Sequence, residues 1–251
     1  MKLHHPIRIG IAAFAVSAAL AAASVLPAMA AASPSPSATS GACSGSTAAR
    51  LACIDQRASQ AVSAREAALQ KMTSDVNDSA DSADITSSDK ATLIGQLSAD
   101  ASGLQTLLGT IDADTTVAKA LADTETIVTG YRVFLLEQPK VHLLIAADTE
   151  TTIESNLQSK LPSIQTAINN SSASAAQKAA AQTAFNDCTT QLAAAQSASA
   201  GIVSDVITLL PSGYPGNQPT LVSARDSAQT ARSDLGKCKT DIETIRTDLA
   251  S

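Results

Sequence analysis

Apolar residues recur every three or four positions along most of the chain, the spacing that places side chains on one face of an α-helix. This pattern predicts helices over about residues 47–77, 88–111 and 117–129. A fourth helix is predicted over 139–169, because Pro139 suits a first helical turn, where its missing N–H costs nothing. The chain is therefore predicted to be all-α.

The last third of the chain predicts a helical hairpin over 173–250. Two seams alternate spacings of three and four, and the Pro- and Gly-rich segment 211–219 separates them. A short loop makes the two helices antiparallel neighbours. In such an antiparallel pair, the residue numbers of two residues that face each other add up to nearly the same sum at every position. The seams comprise Phe185, Cys188, Leu192, Ala195, Ser199, Ile202, Val206 and Leu209, and then Leu221, Ala224, Ala228, Ala231, Leu235, Cys238, Ile242, Ile245 and Leu249.

The four cysteines predict two disulfides, because paired cysteines are typical of exported proteins. Four cysteines allow three pairings. The hairpin register selects Cys188 with Cys238, which leaves Cys43 with Cys53. No Cys-x-x-Cys motif is present, so the disulfides are predicted to stabilise the fold rather than to carry redox chemistry.

Residues 131–147 differ from the rest, because their apolar run shows no helical spacing. We predict a buried extended or irregular segment over 131–137. Aromatic, basic, acidic and imidazole groups gather there, which makes the segment the candidate binding site. The alternative is a plug in the core with Arg132 and Glu137 at its edge. The candidate residues are Tyr131, Arg132, Phe134, Glu137 and His142.

The N-terminus predicts a signal peptide over residues 1–30. Lys2 and Arg8 precede an apolar stretch, and Ala28 and Ala30 offer the small residues of a cleavage site. An uncleaved membrane anchor stays open as the alternative. A flexible linker rich in Ser, Pro and Ala is predicted over 31–46, followed by a single helical domain over 47–251. We expect a secreted protein, associated with the cell wall in one version of this prediction, with no integral membrane segment after cleavage.

Composition limits the chemistry. Removing residues 1–30 leaves 15 basic against 23 acidic side chains, a net charge of −8, which argues against nucleic-acid binding. His142 is then the only histidine, so a catalytic triad would depend on it and a His-rich zinc site is excluded. We predict no enzyme activity, no metal and no cofactor.

Short motifs along the chain resemble a known group of proteins. They are Asp-x-Asp-Thr-Thr at 112–116, Tyr-Arg-Val-Phe at 131–134, Pro-Lys-Val-His at 139–142 and Leu-Pro at 210–211. The group comprises uncharacterised secreted helical proteins of high-GC Gram-positive bacteria and their episymbionts. The resemblance covers about residues 50–250 and implies export and helical architecture, with no activity attached.

These observations predict an elongated antiparallel helical bundle or coiled coil of about six helices. The predicted function is that of an exported, non-enzymatic interaction or spacer rod with an unknown protein or cell-envelope partner. The alternative is a binder of a small apolar ligand or lipid, held in a pocket around Phe134, Leu135 and Leu144.

Overall fold

The computed structural model describes residues 43–78 and 86–250, and these residues form an all-α fold. No strand occurs within those two ranges. The predicted signal peptide, the linker up to residue 42 and most of the break after the first helix lie outside the described residues. The helices are α1 (Thr47–Asp78), α2 (Ser87–Asp112), α3 (Val117–Thr129), α4 (Gln138–Asn170), α5 (Ala175–Ser199), α6 (Ile202–Ile207) and α7 (Gln218–Ala250).

Polar side chains define several helix starts. The hydroxyl of Thr86 accepts a hydrogen bond from the backbone N–H of Asp89 at the start of α2. Ser174 and Gln177 form a reciprocal capping box at the start of α5. Each cap satisfies backbone N–H groups that the helix itself leaves unpaired, which fixes where the helix begins.

The two longest helices connect three apolar clusters. α4 and α7 have 33 residues each, or about 50 Å at 1.5 Å per residue. The large cluster joins α1, α2, α3, the first half of α4, α6 and the start of α7. The middle cluster and the end cluster lie between the second half of α4, α5 and α7. The result is an elongated antiparallel bundle, as predicted.

The C-terminal hairpin has the predicted register. A disulfide joins Cys188 of α5 to Cys238 of α7, and a second joins Cys43 to Cys53. Leu192 and Leu235 are buried together in the middle cluster beside the first disulfide. Buried alanines on both helices keep the interface small, which allows the two backbones to approach closely: Ala181, Ala184, Ala195, Ala224, Ala228 and Ala231.

The prediction of one continuous helix from Phe185 to Leu209 was wrong. α5 ends at Ser199, and α6 begins at Ile202 after a two-residue break. Gly201 has φ 90°, a left-handed conformation that glycine adopts without steric cost. The break turns α6 toward α4 and α2 while its residues Ile202 and Val206 stay in the large cluster.

The prediction of an extended or irregular segment over 131–137 also needs correction. Residues Val133–Glu137 form a single π-helical turn that continues directly into α4. The backbone N–H groups of Leu135, Leu136 and Glu137 all point at the carbonyl of Arg132, at N–O distances of 3.0, 2.8 and 3.4 Å. Arg132 itself has φ 48°, so the turn starts from a left-handed residue.

Candidate binding region around the π-helical turn

The π-helical turn places its side chains toward several different helices. Such turns are rare and occur often at functional sites, so we describe the contacts of each candidate residue in turn. The guanidinium carbon of Arg132 lies 4.8 Å from the ring centroid of Tyr214, in the loop before α7. That cation–π contact attaches the loop to the turn.

Tyr131 packs on α2 at a glycine. A Cβ atom added at Gly103 would lie 2.6 Å from the hydroxyl oxygen of Tyr131. The ring therefore occupies the space that a side chain at position 103 would take. Burial raises the pKa of Tyr131, and the nearby Asp100 carboxylate raises it further.

Phe134 packs against α1. The guanidinium carbon of Arg65 lies 5.5 Å from the Phe134 ring centroid, and its Nη1 donates to the carbonyl of Ala61 at 2.9 Å. Arg65 is buried on the seam of α1, a position that the sequence pattern treated as an interruption. Its aliphatic stem and its contact with a ring make a cation acceptable there.

Glu137 lies in the interior, not at the edge of a plug. Its Oε2 lies 2.6 Å from Nζ of Lys140, and both side chains are almost fully buried. Lys140 also donates to Oε1 of Gln96 at 2.9 Å and to the carbonyl of Leu209 at 3.1 Å. Gln96 in turn donates to the carbonyl of Ile207 at 3.0 Å. We call Gln96, Glu137 and Lys140, together with the half-buried Asp100 whose charge interacts with both ions, the buried polar network.

The buried polar network holds the end of α6. The carbonyl groups at the end of a helix carry partial negative charge and lack partners within the helix. An ammonium group and an amide from two other helices supply those partners at Ile207 and Leu209. Burial raises the pKa of Glu137, whereas Lys140 opposes that shift. Burial and the Glu137 carboxylate raise the pKa of Asp100 to about 6, against the effect of Lys140.

His142 lies apart from this network. It is half-buried, and the groups that influence its charge are Asp75 and Lys71 of α1, which form a salt bridge at 2.8 Å. Burial lowers the pKa of His142, so the neutral imidazole is the favoured form at neutral pH.

The five candidate residues therefore have their partners on α1, α2 and α4 and in the loop before α7, and they do not converge on one cleft. Leu144, predicted as part of an apolar pocket, is fully buried in the large cluster with Phe134 packed against that cluster. Binding of an apolar ligand there stays a prediction. The sequence pattern missed Lys140, Gln96 and Asp100, although the spacing of three between Glu137 and Lys140 allows an ion pair on one helical face.

A second set of buried polar groups lies further along α4. We call Glu150, Glu154, Ser199 and Arg232 the acidic layer. Arg232 Nη2 of α7 lies 3.1 Å from Oε1 of Glu150, and Ser199 of α5 donates to Oε1 of Glu154 at 3.0 Å. Both glutamates are buried on the face of α4 that packs between α5 and α7.

Two open grooves adjoin the break between α5 and α6. The larger, of about 700 Å³, and the smaller, of about 380 Å³, share Pro219, Ser223 and Ser227 of α7 as lining residues. Ala198 lines the first and Ala200 the second.

Neither a membrane span nor a metal cluster is found in the part of the chain that the structure describes. Within 43–78 and 86–250, no helix has both the length and the apolar character needed to cross a bilayer. No group of three or more His, Cys, Asp or Glu side chains is placed to hold a metal ion in those ranges.

Comparison with known proteins gives no relative: no family model, no curated protein and no solved structure matches this chain.

Proposed function

We propose that this chain is an exported, non-enzymatic helical protein that acts as an interaction or spacer rod at the cell envelope or in the extracellular space. The observation that carries the proposal is the continuity of α4 and α7. Each helix extends over about 50 Å, and together they connect three apolar clusters in one bundle. A rod of this kind holds its two ends at a fixed separation.

Two further observations support the proposal. Both cysteine pairs form disulfides, which persist in oxidising compartments such as the extracellular space. Four of the five candidate side chains, Tyr131, Arg132, Phe134 and Glu137, make internal contacts with Gly103, Tyr214, Arg65 and Lys140, respectively. Those contacts account for the unusual composition of the segment as packing, without a reaction.

Fractionation of producing cells tests the proposal. We expect the mature protein in the wall or membrane fraction, retained after a salt wash, and crosslinked to a neighbour by a reagent that joins exposed amines. One control variant replaces Lys239 of α7 by Arg. This change keeps the positive charge and removes one amine with which the crosslinker could react. Protein that is free in the medium and forms no crosslink would contradict a role at the envelope.

A separate experiment tests the proposal that the protein is not an enzyme. His142 is the one imidazole in the described residues, so any imidazole-dependent activity must be lost in a His142→Ala protein. We expect no hydrolase activity in the wild-type protein against peptide, ester or glycan substrates. A turnover that disappears in His142→Ala but persists in Lys239→Arg would contradict the proposal.

A further inference from the structure

The two disulfides differ in their burial. Cys188 and Cys238 are 1% and 0% exposed, and both lie in the middle cluster. Cys43 and Cys53 are partly exposed, and the residues between them are exposed except for Leu51, which is partly exposed. A thiol in solution can therefore reach the Cys43–Cys53 bond of the folded protein, whereas apolar side chains shield the Cys188–Cys238 bond.

The start of α1 does not depend on the Cys43–Cys53 bond. Gly45 has φ 106°, and this left-handed residue turns the chain between Cys43 and the helix. The hydroxyl of Ser46 then accepts a hydrogen bond from the backbone N–H of Ala49 at 3.3 Å. This cap stabilises the first turn of α1 by itself. Opening of the disulfide thus leaves the helix start in place.

The apolar core is also independent of this bond. In the two described ranges, the first member of any of the three apolar clusters is Ala58, which follows the segment that Cys43 and Cys53 enclose. The Cys188–Cys238 bond, in contrast, is packed in the same cluster as Leu192 and Leu235. A thiol can reach that bond only after α5 and α7 separate.

The charges on α1 favour Cys53 as the sulfur that leaves. Arg50 is exposed and lies three residues before Cys53, and Arg57 lies four residues after it, so both share a helix face with Cys53. Arg57 has a contact of its own. Asp55 lies two residues after Cys53, which places it on the other side of the helix. A neighbouring cation stabilises a thiolate, and a stabilised thiolate leaves faster in disulfide exchange.

We propose that the Cys43–Cys53 disulfide is a site of covalent modification by small thiols, which exchange with it in the folded protein and become attached to Cys43. This inference goes beyond the proposed function and does not depend on it. The structural role predicted for both disulfides is kept for Cys188–Cys238. Small thiols are the class that fits, because partial exposure of both cysteines admits a small molecule more easily than the surface of a folded protein.

The exchange step conserves electrons. The thiol first loses its proton to solvent, and its thiolate attacks Sγ of Cys43. A new S–S bond forms there while the Cys43–Cys53 bond breaks, and the electron pair of that bond leaves with Sγ of Cys53 as a thiolate. One disulfide replaces another, so no external oxidant is required. Attack by the Cys53 thiolate on Cys43 reverses the step and releases the small thiol.

Timed exposure of the full chain to reduced glutathione tests the proposal. Excess maleimide stops the exchange and labels each free thiol, peptide mapping locates the labels, and circular dichroism follows the helices. We expect a first product with maleimide on Cys53 and glutathione on Cys43, formed at least about tenfold faster than any opening of Cys188–Cys238. Equal rates for the two disulfides, or opening of Cys43–Cys53 only as the helical signal falls, would overturn the proposal. A first product with the two labels interchanged would do the same.

Two variants at low ionic strength test the direction of the exchange. Arg50→Gln removes the exposed cation beside Cys53 and should slow the opening of Cys43–Cys53 several-fold. Arg246→Gln removes an exposed cation of α7 and should leave that rate unchanged. Equal rates in both variants and in the wild type would contradict the choice of Cys53 as the leaving sulfur.

Two further comparisons use the wild-type protein. In concentrated urea, which removes the shielding by the middle cluster, the two disulfides should open at similar rates. A Cys188–Cys238 bond that stayed slow in urea would show that burial is not the cause of the difference. A folded protein with one surface cysteine should open Cys43–Cys53 at least about tenfold more slowly than glutathione does. An equal rate would overturn the assignment to small thiols.

Discussion

The hydroxyl oxygen of Tyr131 lies 2.6 Å from the point where a Cβ atom would stand on Gly103. This close approach joins the start of the π-helical turn to α2. A glycine inside a helix weakens it, so its presence at this position reflects the space that the ring needs. At the two other glycines of α2, Gly95 and Gly109, an added Cβ atom would have no atom within 4 Å apart from the adjacent backbone of the helix itself.

Gly103→Ala is therefore expected to destabilise the protein. The added methyl group must displace the Tyr131 ring or the backbone of α2, and overpacking of this kind costs about 1–3 kcal/mol. The measurement is the free energy of unfolding from urea titration, followed by circular dichroism.

Gly95→Ala and Gly109→Ala are the matched controls. They lie in the same helix with open space around them, so each should stabilise the protein by roughly 0.5–1 kcal/mol through helix propensity. If all three substitutions had the same effect, the contact between Tyr131 and Gly103 would not constrain the fold.

Lys140→Met is expected to be the most damaging single change at the buried polar network. It leaves Glu137 buried without its cation, and breaking one side of a buried pair costs about 3–5 kcal/mol. The double change Glu137→Gln with Lys140→Met removes both charges and should recover part of that loss. Urea unfolding of the wild type, both single variants and the double variant measures the coupling between the two residues.

Lys71→Met serves as the comparison for this cycle. Lys71 pairs with Asp75 on α1, but its side chain is 74% exposed, so its removal should cost no more than about 1 kcal/mol. Additive effects of the two changes at Glu137 and Lys140 would contradict the ion pair in the interior.

The two disulfides are expected to contribute unequally. Cys188–Cys238 closes a separation of 50 residues and Cys43–Cys53 one of 10. By chain entropy, the first constrains the unfolded chain by about 4 kcal/mol and the second by about 3 kcal/mol. Thermal unfolding of the paired cysteine-to-alanine variants measures this order. A larger loss from removal of the Cys43–Cys53 pair would contradict it.

We expect Asp100 to make the stability of the protein depend on pH. Its folded pKa of about 6 lies above the ordinary value of 3.8 because of burial and the Glu137 carboxylate. The folded state therefore holds that proton more tightly, and the stability it brings is lost as the pH rises from about 4 to 6. Asp100→Asn should make the midpoint temperature of unfolding depend less on pH over this interval. A profile identical to that of the wild type would contradict the shift.

Much of the fold was predictable because burial follows apolar spacing. The seams located the helices, and the hairpin register identified the Cys188–Cys238 pair from residue numbers alone. The break at Gly201 was missed because apolar spacing continues across it from Ser199 to Ile202. The glycine was the available signal, since a left-handed residue ends a helix whatever the seam does.

The polar interior was not predictable in the same way. Lys140, Glu150 and Glu154 lie on buried faces of α4, where spacing rules treat a charged residue as exposed. Their partners come from distant parts of the chain, such as the carbonyl of Leu209 and the side chains of Arg232 and Ser199. These contacts depend on tertiary packing, which the order of residues in one helix does not reveal.

Peptide mapping of the protein collected from the medium and envelope of producing cells tests the central claim most directly. Thiols are blocked before lysis, and mass spectrometry then identifies the N-terminus and the linked peptides. The account predicts a mature chain that starts after Ala30, with Cys43 linked to Cys53 and Cys188 linked to Cys238. A chain that retains residues 1–30 in the cytoplasm and carries blocked, unpaired cysteines would contradict it.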